Sequence, residues 1–384
     1  MSDRGQPRWS AGVDVEAALT LIDEWIAPRG PAGAGAVVWH RGEVVASRYA
    51  GEARPGVPVT AETIFGMASI TKPIAATTVM TLVERGLVSL DESVVRLVPD
   101  FRMRPGEDGT GIVPELERMR PTITVRQLLA HASGLPEDLA ARDDRYPEPT
   151  DLDTIVTAMC RAPLQSAPGA RVRYSNTGYG VLTRLVEEVT GESFWTVTRR
   201  NVLDPLGLPD IVARPGADLA IRLAIVGDAA QAGTAVEMYN SDYWRSLAVP
   251  WGGLFGTPAA AVRFAAAFLS HGPRLLSEAG VAAMMTDQTL GAPGGVESGR
   301  VAWDVAHWGL GWEVKGTKRR HWTGDLTSAR TICHFGHAGT LLWADPERDL
   351  ALAVFCNRTV TRMWTFILPR WARLSNAVVA AATR

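Results

Sequence analysis

A serine and a lysine stand three residues apart in the stretch GMASITKP, as Ser69 and Lys72. At the start of a helix this spacing puts both side chains on one face, so that the lysine amine reaches the hydroxyl. A buried amine can lose its proton near neutral pH and then accept the serine proton, which makes the hydroxyl a nucleophile. The chain has only three lysines, and the other two are Lys315 and Lys318. The pair therefore predicts covalent catalysis, although the bare spacing also fits a helix-capping serine beside a solvated lysine.

Two later stretches carry groups that such a nucleophile needs. Tyr174 and Asn176 stand just before a helical pattern, where a loop can bring a phenol and an amide to the same cleft. The segment 336–340 reads GHAGT and leads into a strand pattern. Its small residues can offer a backbone N–H at close range to a substrate oxygen.

The elements that must position these residues follow from apolar periodicity. Helices are predicted over 15–27, 74–86, 124–134, 151–162, 178–191, 259–269 and 364–381, and strands over 35–46, 309–314, 340–344 and 350–356. Residues 100–122 read as a loop, and residues 208–250 show no regular pattern. Strands at both ends with helices between them predict an α+β fold, in which an antiparallel sheet built from both chain ends and flanked by helices carries an inserted all-α lobe.

The length of 384 residues fits one large domain of two lobes better than several independent domains. We predict a single catalytic domain over 1–384. One lobe combines 10–75 with 250–384, and the mainly helical lobe spans 76–249. The cleft between the two lobes is the expected site.

The composition excludes several functional classes. A net charge of -2 argues against a nucleic-acid partner. No apolar run reaches the roughly 18 residues of a membrane span, and the N-terminal stretch lacks a signal segment, which predicts a cytoplasmic protein without a membrane partner. The cysteines, Cys160, Cys333 and Cys356, have spacings that fit neither a disulfide framework nor a zinc site, and no histidine pattern predicts a metal. The oligomeric state stays open.

The order and spacing of Ser69-Ile70-Thr71-Lys72, Tyr174-Ser175-Asn176 and His337-Ala338-Gly339 resemble the motifs of the serine β-lactamase and DD-peptidase superfamily. The closest likeness is to the class C β-lactamase-related branch, which includes family VIII carboxylesterases. It covers about residues 15–375 and is supported by LLAHASGL at 128–135, PLGL at 205–208 and GGLFGT at 252–257. The chain has no G-x-S-x-G, so the nucleophile elbow of α/β-hydrolases is absent.

The resemblance implies a role for each matched residue. Ser69 is acylated, Lys72 accepts or relays its proton, and Tyr174, as phenol or phenolate, passes the proton to the leaving group. Asn176 orients Lys72 and the substrate. The N–H groups of Ser69 and Thr340 form the oxyanion hole, where each donor contributes on the order of 10² to 10³ in rate.

The resemblance departs at His337, where many β-lactamases carry the lysine of Lys-Thr-Gly. A neutral imidazole is a weaker carboxylate anchor than an ammonium, which disfavours carboxylate-bearing β-lactams. With Ala338 and Gly339, His337 is expected to contact substrate. Trp251 is expected to line an apolar acyl pocket. His131 is expected to fix a turn.

The expected activity is the hydrolysis of carboxylic esters of small-molecule substrates through an acyl-enzyme on Ser69, without metal or cofactor. One alternative is an acyltransferase or peptide cyclase of natural-product metabolism, in which an alcohol or amine replaces water. A second is a β-lactamase or a D-amino-acid amidase or peptidase, and a third is a non-catalytic scaffold with the same fold.

Overall fold

The computed structural model describes residues 14–102, 113–139, 150–297, 299 and 301–383. The predictions made for the N-terminal stretch before residue 14 and for the centre of the loop at 100–122 fall outside these residues.

The strands of both chain ends combine into one sheet. The strands are β1 (Gly33–His40), β2 (Glu43–Arg54), β3 (Val57–Pro58), β4 (Phe65–Gly66), β5 (Val172–Arg173), β6 (Ile211–Val212), β7 (Phe255–Gly256), β8 (Gly294–Val296), β9 (Val301–Trp303), β10 (Glu313–Val314), β11 (Ile332–Gly336), β12 (Thr340–Asp345) and β13 (Leu350–Cys356). The large sheet has seven strands in the order β10-β11-β12-β13-β1-β2-β3, and its neighbours pair antiparallel. The last strand, β13, pairs with the first, β1, which confirms the predicted sheet.

The helices cover both faces of this sheet and fill the middle of the chain. They are α1 (Val15–Leu19), α2 (Thr71–Glu84), α3 (Val94–Leu97), α4 (Pro114–Glu117), α5 (Val125–Leu129), α6 (Leu152–Cys160), α7 (Asn176–Thr190), α8 (Phe194–Thr198), α9 (Asp242–Leu247), α10 (Pro258–Ala266), α11 (Glu278–Met285) and α12 (Val360–Ala382). None of the helices in the described residues is both long and apolar enough to cross a bilayer.

The alternation of side chains along β13 shows how the two layers of helices are held. Every residue of β13 is buried. Ala353 and Phe355 join the core formed with α2 and α10, whereas Leu352 and Val354 join the core formed with α1 and α12. Successive side chains of a strand point to opposite faces, so a continuous apolar run is the pattern of a strand buried on both sides.

The structure differs from the sequence prediction in several places. The strand predicted over 309–314 shortens to β10, since Gly311 has left-handed backbone (φ 86°). The helix predicted over 15–27 continues after α1 as a 3-10 helix, Thr20–Trp25.

The helix predicted to end near residue 134 ends at Leu129, because His131 (φ 56°) and Gly134 (φ 84°) adopt left-handed backbone that no helix accommodates. The helical lobe also contains short strands: β5 pairs with β8, and β6 pairs with β7. These pairings connect the inserted segment to strands outside it, across the cleft region.

Candidate active site

Ser69 lies in a short 3-10 turn, Ala68–Ile70, directly before α2. Ala68 has a φ of 48°, a left-handed conformation that costs a non-glycine residue about 1–3 kcal/mol. Met67 holds this turn on both sides, because its N–H donates to the Leu254 carbonyl at 2.8 Å and its carbonyl accepts from the Thr340 hydroxyl at 3.1 Å. The serine therefore stands on a strained turn whose position is determined by two other segments.

Lys72 points its amine at this serine. The Nζ atom lies 3.2 Å from Ser69 Oγ, 2.6 Å from Asn176 Oδ1 and 2.7 Å from the Trp251 carbonyl. The side chain is completely buried. Three acceptors from three segments thus aim the amine at the hydroxyl, as the spacing of Ser69 and Lys72 predicts.

Asn176 is itself held in place at the start of α7. Its Nδ2 donates to Asp138 Oδ1 at 2.8 Å, and its backbone N–H donates to the Glu137 carbonyl at 2.8 Å. The neighbouring Ser175 caps α7, because its Oγ accepts from the Gly178 N–H at 2.9 Å. The amide oxygen of Asn176 therefore faces Lys72, while its amide nitrogen is hydrogen-bonded to the carboxylate of Asp138.

Trp251 contributes a group that sequence reasoning missed, its backbone carbonyl on Lys72. The side chain is 2% exposed and belongs to the main hydrophobic core. The lining of an acyl pocket by this indole stays a prediction. A carbonyl is present at every position of a chain, so no sequence signal could have marked this one.

Tyr174 lies on the other side of the lysine. Lys72 Nζ is 4.7 Å from the centroid of its ring, and the side chain is buried. Burial raises the pKa of Tyr174 well above its usual range, and the nearby hydroxyl of Ser69 opposes this shift only in part. The group is therefore a neutral phenol at neutral pH, and of the two forms considered from sequence the phenol is favoured.

Two buried imidazoles flank this phenol. The ring of His131 lies 4.6 Å from that of Tyr174 between centroids, and the ring of His334 lies at 5.9 Å. Burial, followed by the charge of Lys72, lowers the pKa of His131 well below its usual range and the pKa of His334 to about 3. Both rings are therefore neutral. The Ser175 N–H donates to His131 Nδ1 at 3.0 Å, which connects this turn histidine to the segment that carries Tyr174 and Asn176.

His337 lies in the hairpin turn between β11 and β12, where hydroxyl groups contact its ring. Its Nδ1 lies 3.1 Å from the Tyr239 hydroxyl, and its Nε2 lies 2.8 Å from Thr361 Oγ1. Both ring nitrogens are thus engaged by hydroxyl groups. Contact of His337 with substrate stays a prediction. Of the two histidines beside Tyr174, His334 is the one that sequence reasoning left among the scattered histidines.

The hairpin between β11 and β12 packs against the serine turn. A Cβ atom on Gly336 would lie 2.4 Å from the Met67 carbonyl, so only glycine fits there. Ala338 is fully buried, and Gly339 has a φ of 95° in the hairpin turn. Thr340 is fully buried, and its hydroxyl donates to the Met67 carbonyl. The oxyanion hole of Ser69 and Thr340 N–H groups stays a prediction.

A second buried polar cluster lies at the edge of the sheet. Potential metal-ligand atoms of Glu313, His321 and Cys333 lie within 4.8 Å of one another. Lys318 Nζ lies 2.7 Å from Glu313 Oε1, and His321 Nε2 lies 3.1 Å from the same oxygen. The carboxylate is thus already neutralised by a lysine, and the fold brings together residues whose spacing in sequence carries no metal pattern.

Comparison with known proteins agrees with this fold. A family model described as Beta-lactamase matches residues 22–372, and the chain belongs to this family. Penicillin-binding protein 4 of Amycolatopsis lactamdurans is 31% identical over 269 residues, which are 67% of this chain and 64% of that protein. Esterase EstB of Burkholderia gladioli is 34% identical over 203 residues, which are 50% of this chain and 49% of that protein. The chain thus spans about half to two thirds of the length of these relatives.

Two solved structures show the same architecture. SurE with D-Leu superposes with a TM-score of 0.67 at 28% identity, covering 94% of this chain and 75% of that one. EstCE1, a hydrolase with promiscuous acyltransferase activity, superposes with a TM-score of 0.75 at 20% identity, covering 95% and 98%. At that identity EstCE1 supports the fold alone.

Proposed function

We propose that this protein is a serine hydrolase that cleaves carboxylic esters through a covalent acyl-enzyme on Ser69. The observation that carries the proposal is the buried Lys72 amine 3.2 Å from Ser69 Oγ. A serine hydroxyl is a weak nucleophile until an adjacent base takes its proton, and this geometry supplies the base.

In acylation, Ser69 Oγ attacks the ester carbonyl while the neutral amine form of Lys72 accepts the hydroxyl proton. The tetrahedral intermediate then collapses, the bond to the leaving oxygen breaks, and the neutral phenol of Tyr174 protonates that oxygen. Lys72 then passes the proton that it took from Ser69 to the Tyr174 phenolate, which restores both groups; the amine lies 4.7 Å from the centroid of the Tyr174 ring. In deacylation, water attacks the acyl carbonyl and gives a proton to Lys72, the bond between the acyl group and Ser69 Oγ breaks, and Oγ is reprotonated as the carboxylic acid leaves.

The preference for esters is supported by two observations. Esterase EstB is among the relatives that share part of this sequence. The two histidines beside Tyr174, His131 and His334, are neutral, and a neutral imidazole is a weaker partner than a second lysine for the carboxylate of a β-lactam.

A second candidate is acyl transfer or amide hydrolysis by the same acyl-enzyme, with an amine as acceptor or leaving group. SurE, described in complex with D-Leu, is 28% identical along 94% of this chain, which favours this alternative over a non-catalytic scaffold. The cytoplasmic location, the small-molecule substrate and the lack of a nucleic-acid or membrane partner stay predictions from sequence.

The test is hydrolysis of p-nitrophenyl butyrate by the wild-type protein and by Ser69→Ala. We expect turnover by the wild type and loss of turnover in the variant. Equal activity of the two proteins contradicts the assignment of the nucleophile. Inactivity of both proteins favours the acyl-transfer alternative, which is then assayed by adding an amine acceptor.

A further inference from the structure

The imidazole of His334 carries a hydrogen-bond acceptor without a partner among the described residues. Its Nδ1 lies 2.8 Å from the Phe335 carbonyl oxygen, which can only accept, so Nδ1 holds the proton. The opposite nitrogen, Nε2, is then a lone pair in the neutral ring. It is buried without a hydrogen-bond partner, and the residue as a whole is 3% exposed. Buried polar atoms are almost always paired, so this acceptor points to a ligand.

The strand register places this acceptor beside the reacting groups. His334 and Gly336 are two residues apart on β11 and so face the same side of the sheet. Gly336 contacts the turn that carries Ser69, since a Cβ there would lie 2.4 Å from the Met67 carbonyl. The His334 ring lies 5.9 Å from the Tyr174 ring. The acceptor therefore stands on the Tyr174 side of Ser69, where the leaving group departs.

The imidazole of His334 stays neutral at neutral pH, so Nε2 does not become a hydrogen-bond donor. Burial and the charge of Lys72 hold the pKa of His334 at about 3, so Nε2 accepts and does not donate. A substrate carboxylate next to His334 Nε2 would face this lone pair and would be repelled. Lys72 would attract the same carboxylate, so a preference of the enzyme against carboxylate substrates cannot come from Lys72.

We propose that His334 Nε2 binds a neutral hydrogen-bond donor, a hydroxyl or an N–H, on the leaving-group side of the substrate. This inference rests on the proposed function and specifies its substrate class. It assigns substrate recognition to His334, in place of the sequence-predicted anchor His337, whose ring nitrogens are engaged by Tyr239 and Thr361. A site that offers one buried acceptor discriminates strongly against an analogue without the matching donor.

The test uses butyrate esters of three phenols that differ only at the meta position: hydroxymethyl, methyl and carboxylate. Rates are normalised to the alkaline hydrolysis of each ester, which removes differences between the leaving phenols. We expect the wild-type kcat/KM to fall in the order hydroxymethyl, methyl, carboxylate, with about a tenfold step from the first to the second, carried mainly by KM.

Three variants locate the origin of this order. His334→Gln offers both a donor and an acceptor and is expected to bring the three esters within about threefold of one another. His334→Lys is expected to prefer the carboxylate ester. If the buried lysine prevents folding, the glutamine variant alone decides. His337→Gln, the matched control, is expected to keep the wild-type order of the three esters.

Equal rates for the hydroxymethyl and methyl esters in the wild type would overturn the inference. So would an order that survives in His334→Gln but disappears in His337→Gln. In both cases p-nitrophenyl butyrate would still be hydrolysed through Ser69, and the proposed function would stand. Loss of Ser69-dependent turnover of every ester would overturn the proposed function, and the inference with it.

Discussion

Two buried lysines of this protein have different surroundings. Lys72 in the cleft has neutral acceptors in Ser69, Asn176 and the Trp251 carbonyl. Lys318 at the sheet edge pairs with the carboxylate of Glu313 at 2.7 Å and also donates to two backbone carbonyls. Each amine also lies over an aromatic ring, at 4.7 Å from Tyr174 for Lys72 and 4.4 Å from Trp303 for Lys318.

The difference shows how partners assign a role to a buried lysine. The buried Lys318–Glu313 ion pair joins two opposite charges, so it is suited to a structural role. The three acceptors described above for Lys72 are neutral groups, and one of them is the hydroxyl that must lose a proton. We therefore propose that the same residue type, at similar burial, serves stability in one place and catalysis in the other.

The largest expected effect is on catalysis. Lys72→Met keeps the volume of the side chain but removes the proton acceptor, and we expect kcat for p-nitrophenyl butyrate to fall about 10³- to 10⁴-fold. Steady-state kinetics of the folded protein, checked by circular dichroism, measures this. A variant with near wild-type kcat would show that Lys72 is only a structural lysine.

The same substitution at the other site should act on stability instead. Lys318→Met leaves the fully buried carboxylate of Glu313 without its ammonium, and we expect a loss of about 3–5 kcal/mol in the free energy of unfolding. The activity per folded molecule should stay near that of the wild type. Urea denaturation measures the loss, and the double variant Lys318→Met with Glu313→Gln should recover much of it. Unchanged stability of Lys318→Met would contradict a structural role for the Lys318–Glu313 pair.

Tyr174→Phe is expected to lower kcat about 100-fold, because no neutral phenol then protonates the leaving oxygen. An ester with a good leaving group, such as p-nitrophenol, should suffer less than an alkyl ester, which needs the proton more. Equal losses for both esters would assign Tyr174 a positioning role rather than proton transfer.

The smallest expected effect is on the dependence of stability on pH. The pKa of His334 is about 3 in the folded protein, below the usual value of about 6.5 in the unfolded chain. As the pH falls, the His334 imidazole therefore binds a proton at a higher pH in the unfolded chain than in the folded protein. The stabilisation is complete above about pH 6.5 and is lost progressively toward pH 3, with a slope of up to about 1.4 kcal/mol per pH unit.

Between pH 6 and pH 5, the free energy of unfolding of His334→Gln should therefore fall by about 1 kcal/mol less than that of the wild type. Urea denaturation at both pH values, on the variant and the wild type, measures this difference. The same slope in the two proteins would show that His334 does not stay neutral in the folded state.

Sequence patterns predicted the parts of this molecule that depend on local spacing. Ser69 and Lys72 lie one helical turn apart, and β13 is a continuous apolar run, so both were predictable. Which histidine near the third motif lies beside Tyr174 was not predictable. His334-Phe335-Gly336 and His337-Ala338-Gly339 both place a histidine two residues before a glycine. The ring distances in the folded protein show that His334, together with His131, lies beside Tyr174.

Other parts of the site depend on contacts across the whole chain. The Trp251 carbonyl reaches Lys72 across 179 positions, and backbone atoms carry no pattern that marks such a contact. Glu313, His321 and Cys333 converge through the pairing of β10 with β11 and the loop between them, at spacings that match no short motif.

The central claim is that Lys72 makes Ser69 the nucleophile, whereas Lys318 does not take part. Its most direct test is covalent labelling by an alkyl fluorophosphonate, followed by mass spectrometry of the intact protein and of the peptide that contains Ser69. We expect one adduct on Ser69 in the wild type and at a similar rate in Lys318→Met, labelling about 10³-fold slower in Lys72→Met, and none at this position in Ser69→Ala. An adduct on another residue, or equal rates in Lys72→Met and Lys318→Met, would contradict the account.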